Sequence, residues 1–246
     1  MTTRVGVLGA RGRMGGTSVR AIQAADGLEV VAQVDQGDAL DLLTDAHAEV
    51  VLVFTTPDVA LDQVLWCVER GIDVVVGTSG FDETRVAAVQ EVVDRQDGVG
   101  VLVVPNFSIG AVLMMRFAAE AAPYFESVEV VEMYHPDKVD APSGTAVRTA
   151  ELIARARAEA GSAPLPDATT DDPDGARGAS VSGIPVHALR ARGYVASQEV
   201  VLGGLGETFV LRHDSHDRES FMPGVVTALA SVGGLRGVHV GLDAVL

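Results

Sequence analysis

The chain has 246 residues, 48% of them apolar, enough for one large core or two modest ones. Its 34 acidic residues against 18 basic give a formal charge of −16, which argues against nucleic-acid binding and against docking on anionic membranes, since both need basic patches. Cys67 is the single cysteine, so neither an intramolecular disulfide nor a cysteine-based metal site is expected, and no metal ligand set stands out elsewhere.

Residues 4–8 are a short apolar run. Gly9-Ala10-Arg11-Gly12-Arg13-Met14-Gly15 follows, and a helical pattern covers 15–25. Leu28–Val34 is a second apolar run, ending on Asp35. A third, 50–54, is closed by Thr55-Thr56-Pro57-Asp58, residue types that start helices, and 59–70 repeats apolar residues at helical spacing. Asp73–Val76 ends in Gly77-Thr78-Ser79-Gly80, a helix is expected over 82–95, and 99–104 leads into Pro105-Asn106-Phe107. Apolar runs alternating with amphipathic helices predict βαβ units and a parallel sheet buried on both faces. No run reaches the roughly 18 apolar residues that cross a bilayer. The first strand begins too early to leave room for a signal peptide, so a cytoplasmic protein is expected.

After Asn106 the pattern changes. A helix is expected over 110–122, a strand over Ser127–Tyr134 and a helix over 145–160. Residues 161–184 are rich in Gly, Pro, Ser, Thr and Asp without periodicity, and are expected as a long loop: a lid, a binding loop or an oligomer arm. Strands over 186–191, 195–202 and 207–212, with Gly203–Gly206 as a turn, suggest an antiparallel or mixed sheet. A helix over 220–232 and a strand over 238–242 close the chain.

The loop Gly9–Met14 lies between a strand and a helix, the setting in which glycines let backbone N–H groups approach a pyrophosphate at the positive end of the helix. Its spacing is G-x-x-G-x-x-G rather than G-x-G-x-x-G. Asp35 ends the second strand about 20 residues beyond Gly15, where a carboxylate can accept from an adenosine ribose. Arg11 and Arg13 can meet a 2′-phosphate, so both NADH and NADPH remain open. Gly77, Thr78 and Ser79, and Val104, Pro105, Asn106 and Phe107, follow strands of the same sheet, whose carboxyl ends line the ligand crevice. Their backbone groups are candidates to hold the nicotinamide ribose and carboxamide.

The stretch Glu-Met-Tyr-His-Pro-Asp-Lys-Val-Asp-Ala-Pro-Ser-Gly-Thr-Ala, residues 132–146, carries the candidate chemistry. Lys138 is the only lysine of the chain, and unlike arginine it can give up a proton. Tyr134 and His135 stand beside it. Pro142-Ser143-Gly144-Thr145 opens a helix whose N–H groups and hydroxyls would bind a carboxylate, while His135 and Lys138 can meet a second anionic group. A small dicarboxylate substrate is expected.

This stretch resembles the signature E-x-H-H-x-x-K-x-D-A-P-S-G-T-A of the dihydrodipicolinate (4-hydroxy-tetrahydrodipicolinate) reductase family. The resemblance extends through GARGRMG, VGTSGF, VPNFSIGA and GETFVLRHDS. It implies an α/β fold: a Rossmann-like nucleotide domain of residues 1–107 plus 217–246, with an inserted α+β substrate-binding and tetramerisation domain of residues 108–216. It also implies reduction of 4-hydroxy-tetrahydrodipicolinate with NADH or NADPH, and a homotetramer. Carried over by position, Lys138 is the proton donor, His135 binds substrate, and Gly144 and Thr145 hold a carboxylate. Gly9–Met14, Asp35, Gly77–Ser79 and Val104–Phe107 hold the cofactor. Tyr134 departs from the family's first histidine. A phenol's reference pKa is about 10 against about 6.5 for histidine, so the expected role of Tyr134 is to position substrate while Lys138 protonates.

The run His213-Asp214-Ser215-His216-Asp217 holds every member of a hydrolytic triad, but consecutive residues point apart, and further metal ligands are lacking nearby. His47, His187 and His239 have no partners in sequence. Two rivals remain: another NAD(P)-dependent dehydrogenase of small amino or oxo acids, and a catalytically silent nucleotide-binding paralogue.

Overall fold

A computed structural model describes residues 2–96 and 98–246. The chain divides into two units, Met1–Ile109 with Arg218–Leu246, and Gly110–Asp217.

The first unit opens with β1 (Thr3–Leu8), α1 (Arg13–Ala24), β2 (Leu28–Val34), α2 (Asp41–Asp45), β3 (Val50–Val53), α3 (Pro57–Val68), β4 (Asp73–Val76), α4 (Glu83–Val93) and β5 (Gly100–Val103). The second unit takes in α5 (Ile109–Ala121), β6 (Ser127–Tyr134), α6 (Gly144–Glu159), β7 (Ala179–Val181), β8 (Ile184–Arg190), β9 (Ala196–Gly204) and β10 (Glu207–Ser215). The chain then returns to the first unit with α7 (Met222–Ser231) and β11 (Gly237–Val240).

All six strands of the first unit are parallel, in the order β2-β1-β3-β4-β5-β11. β3 and β5 are buried at every residue, which explains why their sequences are unbroken apolar runs rather than alternating ones. The strand order reverses at β1, flanked by β2 and β3, and the glycine loop leaves the sheet at this switch point. α3 starts at Pro57, whose missing N–H is harmless in a first turn. Helix α2 has no counterpart in the sequence expectations. It is too short for a periodic signal, and its fully buried Leu43 fills the space over Gly6, where a Cβ would come within 2.4 Å of Leu43 Cδ2.

The second unit is built on a five-stranded mixed sheet, β10-β9-β6-β8-β7, in which only β6 and β8 run parallel. α6 packs on β6 and β8. Burial alternates along β6, so that Val128, Val130 and Glu132 are fully buried on one face. Two expectations need correction here. The 161–184 segment is not loop throughout, because β7 pairs with β8 across Ser182-Gly183, whose φ values of 51° and 83° suit the tight two-residue hairpin turn. The Gly203–Gly206 turn shrinks to Leu205-Gly206, since Gly203 and Gly204 lie in β9. A Cβ on Gly203 would sit 2.6 Å from Ser127 Oγ, so that glycine serves the neighbouring strand. No helix of the described residues is long and apolar enough to cross a membrane.

Candidate active site

The carboxyl ends of the parallel strands deliver the nucleotide candidates to one edge of the sheet. β1 leads into Gly9, Ala10, Arg11, Gly12, Arg13 and Met14, and β2 into Asp35. β4 leads into Gly77, Thr78 and Ser79, and β5 into Val104, Pro105, Asn106 and Phe107. Gly9 has φ 80°, and a Cβ there would fall 2.2 Å from the Phe54 carbonyl oxygen. A Cβ on Gly15 would fall 2.0 Å from the Gly9 carbonyl oxygen. The loop closes on itself through the Gly12 N–H, which donates to the Gly9 carbonyl at 3.0 Å. Gly12 caps α1 without a side chain, and no acidic residue occupies the first turn, so no carboxylate of the helix itself opposes an anion at this positive end. A dinucleotide fits this cradle.

Asp35 is tied to the same loop. Its Oδ2 accepts the Arg11 N–H at 3.0 Å, while the Asp35 N–H donates to Asp38 Oδ2 at 3.0 Å. The exposed Arg11 guanidinium stands 3.6 Å from Asp35 and 3.9 Å from Asp38. Other candidates support the edge from beneath. Thr78 Oγ1 accepts the Thr55 N–H at 2.9 Å and donates to the Val53 carbonyl at 3.2 Å, joining the ends of β3 and β4. The Phe54 and Phe107 rings meet at 5.5 Å, and Gly77 leaves room for the Phe54 ring. Val104 and Phe107 are buried, Ser79 and Pro105 exposed. Asn106 Oδ1 accepts the Ser108 N–H at 2.9 Å.

In the second unit, β6 carries Glu132 and Tyr134 on one face, and a turn follows in which the Lys138 N–H donates to the His135 carbonyl at 3.2 Å. Lys138 Nζ is hydrogen-bonded to the Asp140 carboxylate and stands 5.2 Å from the centroid of the Tyr134 ring. The Arg190 guanidinium lies 5.4 Å from the same centroid. The hydrogen bond from Lys138 is the main reason why the Asp140 carboxyl is held below its ordinary value of 3.8. His135 is half exposed, its Nδ1 3.8 Å from Asp137 Oδ2. The Ala141–Pro142 peptide is cis. Ser143 caps α6, its buried Oγ accepting the Ala146 N–H at 3.2 Å. Gly144 borders open space and, with Thr145, begins the helix.

Tyr134, His135, Lys138, Ser143, Gly144 and Thr145 thus share one strand end, turn and helix start. Three residues beside them were not expected from the sequence. Asp140 holds Lys138, and Glu132 is the one of β6's two carboxylates that falls on the strand's buried face. Arg190 carried no local signal, because only the parallel β6–β8 register puts it opposite Tyr134.

Asp214 on β10 accepts from Arg212 at 2.8 and 3.0 Å, which is the main cause of its carboxyl falling to about 2. His213 packs against Gly110, and burial lowers its pKa. His187 finds a partner across the sheet, its Nε2 2.6 Å from Glu129 Oε2. Among the described residues no group of three or more His, Cys, Asp or Glu is placed to hold a metal ion.

Residues 3–107 match the family model "Dihydrodipicolinate reductase, N-terminus", and residues 110–246 match "Dihydrodipicolinate reductase, C-terminus". The 4-hydroxy-tetrahydrodipicolinate reductase of Streptomyces griseus subsp. griseus is 57% identical over 240 residues, which cover 98% of this chain and 96% of that protein. The same-named protein of Mycolicibacterium smegmatis is 55% identical over 243 residues, 99% and 98% of the two chains. A solved structure, the dipicolinate-bound dihydrodipicolinate reductase from Paenisporosarcina sp. TG-14, superposes with a TM-score of 0.90 at 35% identity, covering 100% of both chains.

Proposed function

The chain belongs to the dihydrodipicolinate reductase family, and on that premise we propose how its residues share the family's reaction. The protein is an NAD(P)H-dependent oxidoreductase that reduces 4-hydroxy-tetrahydrodipicolinate to tetrahydrodipicolinate in the diaminopimelate route to lysine. The observation that carries the assignment of roles is the placing of the chain's only lysine, ion-paired and against an aromatic ring, beside a capped helix start.

The nicotinamide supplies the hydride. Lys138 supplies the proton, since its ammonium is the transferable acid of the cluster and Asp140 holds it in place until substrate arrives. One carboxylate of the dicarboxylate substrate binds the start of α6 at Gly144 and Thr145, where backbone N–H groups and the helix dipole favour an anion. Ser143 sets that turn, and His135 receives a second polar group of the substrate. Tyr134 positions rather than protonates: its ring face is the part that meets Lys138 and Arg190. Gly9–Met14 would hold the cofactor, NADH or NADPH, with Asp35 placed to accept from the adenosine ribose. Gly77–Ser79 and Val104–Phe107 would take the nicotinamide end through backbone groups and through Ser79 and Asn106.

The protein works in the cytoplasm as a homotetramer built on the mixed sheet. Support comes from the face of that sheet opposite α6, where Leu189 and Val210 are exposed beside the partly covered Val131 and Val201. Light scattering should report a tetramer that Val210→Asp dissociates. The decisive assay follows NADH and NADPH absorbance with enzymatically generated 4-hydroxy-tetrahydrodipicolinate. Oxidation is expected, and its absence would return the silent paralogue to contention.

A further inference from the structure

Glu132 is fully buried, and its carboxylate is divided between two donors. Oε2 accepts the N–H of Ser143, the cap of α6, at 2.7 Å. Oε1 accepts from Arg190 Nη2 at 2.6 Å, and that same nitrogen donates to the Asp140 carbonyl at 2.8 Å. The guanidinium of Arg190 also lies over the Tyr134 ring. One buried carboxylate and one arginine therefore connect the strand that bears Tyr134, the segment that bears Asp140, and the first residue of the helix start. A second arm reaches the same turn. Gln198, opposite Glu132 on β9, donates through Nε2 to Thr149 Oγ1 at 2.7 Å, and the Thr149 hydroxyl donates to the Thr145 carbonyl at 2.8 Å.

Burying a carboxylate is costly unless it is paired, and a hydrophobic residue of similar size would pack in its place without that cost. What a hydrophobic residue cannot do is take the Ser143 N–H and an arginine at once. We propose that Glu132 is a positioning residue: with Arg190 it forms a bracket that sets the start of α6, and so the amides that receive the substrate carboxylate. This rests on the substrate assignment above. Glu132 touches neither substrate nor cofactor; it acts through Ser143 and Arg190.

The bracket predicts a loss confined to the dicarboxylate. In the full-length enzyme carrying Glu132→Gln, one of the two donors must face an amide NH2. KM for the substrate and the calorimetric Kd for pyridine-2,6-dicarboxylate should each rise at least about tenfold, the scale of a lost hydrogen bond to a charged group. The change in kcat should be smaller, and the Kd for NADH should stay within about twofold, as for an independent site. Arg190→Lys keeps the charge beside Glu132 but is shorter and lacks the planar guanidinium that lies over Tyr134, and should raise KM in the same direction by a smaller factor. Unchanged dicarboxylate affinity in folded Glu132→Gln, or in Arg190→Lys if Glu132→Gln does not fold, overturns the bracket. So does a fall in Tm with KM unmoved. A wild-type chain that neither oxidises NADH nor binds the dicarboxylate overturns the functional assignment, and the bracket with it.

Discussion

Lys138 and Asp140 are hydrogen-bonded through Nζ and Oδ1, so the candidate proton donor rests in an ion pair two residues from itself. The pair holds the ammonium in place. Lys138→Arg keeps the charge and removes the transferable proton, so kcat should fall by about a hundredfold or more, the usual weight of a general acid. NADH oxidation under saturating substrate measures it. Near-normal turnover in Lys138→Arg would sink the assignment.

Tyr134 should behave differently. The ring face, against Lys138 and Arg190, survives in Tyr134→Phe, so kcat should drop by less than about tenfold. Tyr134→Leu, which removes the ring, should lose more. If Tyr134→Phe collapsed as far as Lys138→Ala, the phenol would be the acid instead.

The Asp140 carboxyl titrates below its ordinary value because Lys138 is bonded to it. A depressed folded value adds stability that is present in full above the unfolded pKa and fades as pH falls through the folded one. Asp140 is about half exposed, so the contribution is modest. The Tm advantage of wild type over Asp140→Asn should be present at neutral pH and shrink on acidification below about pH 4. An advantage that widens with acid would contradict the sign.

At the nucleotide edge, Gly15→Ala would bring a Cβ to 2.0 Å from the Gly9 carbonyl oxygen, and the loop must move. NADH affinity, read by fluorescence titration, should weaken at least about tenfold, about 1.4 kcal/mol. Unchanged binding would place the pyrophosphate elsewhere.

Burial pushes the Cys67 thiol up to about 12, and the residue has no exposed surface in α3. An alkylating reagent at mildly alkaline pH should leave the native protein unlabelled and modify it only on unfolding. Rapid labelling of folded protein would refute this placement.

The apolar runs at β3, β4 and β5 were legible because parallel strands buried on both faces need no alternation. The hairpin at Ser182-Gly183 was not, because β7 is three residues long and mostly exposed and offers no pattern to read. Its two positive-φ residues were the signal available. The same limit applied to Gly203 and Gly204, which read as turn residues until pairing with β10 and β6 placed them in β9.

By itself the sequence determined the chemistry at hand: a lone lysine, a glycine loop between strand and helix, and a Ser-Gly-Thr helix start, all set by residue type and local spacing. The tertiary structure alone decided the partners. Arg190 meets Tyr134 and Glu132 because β8 lies parallel to β6 in one register, and a slip by one residue would send every side chain to the other face. Register follows from packing whole faces against α6, and no local pattern encodes it. For that reason Lys138 and Ser143 were readable from the chain, while the pairing of Glu132 with Arg190 and Ser143 was not.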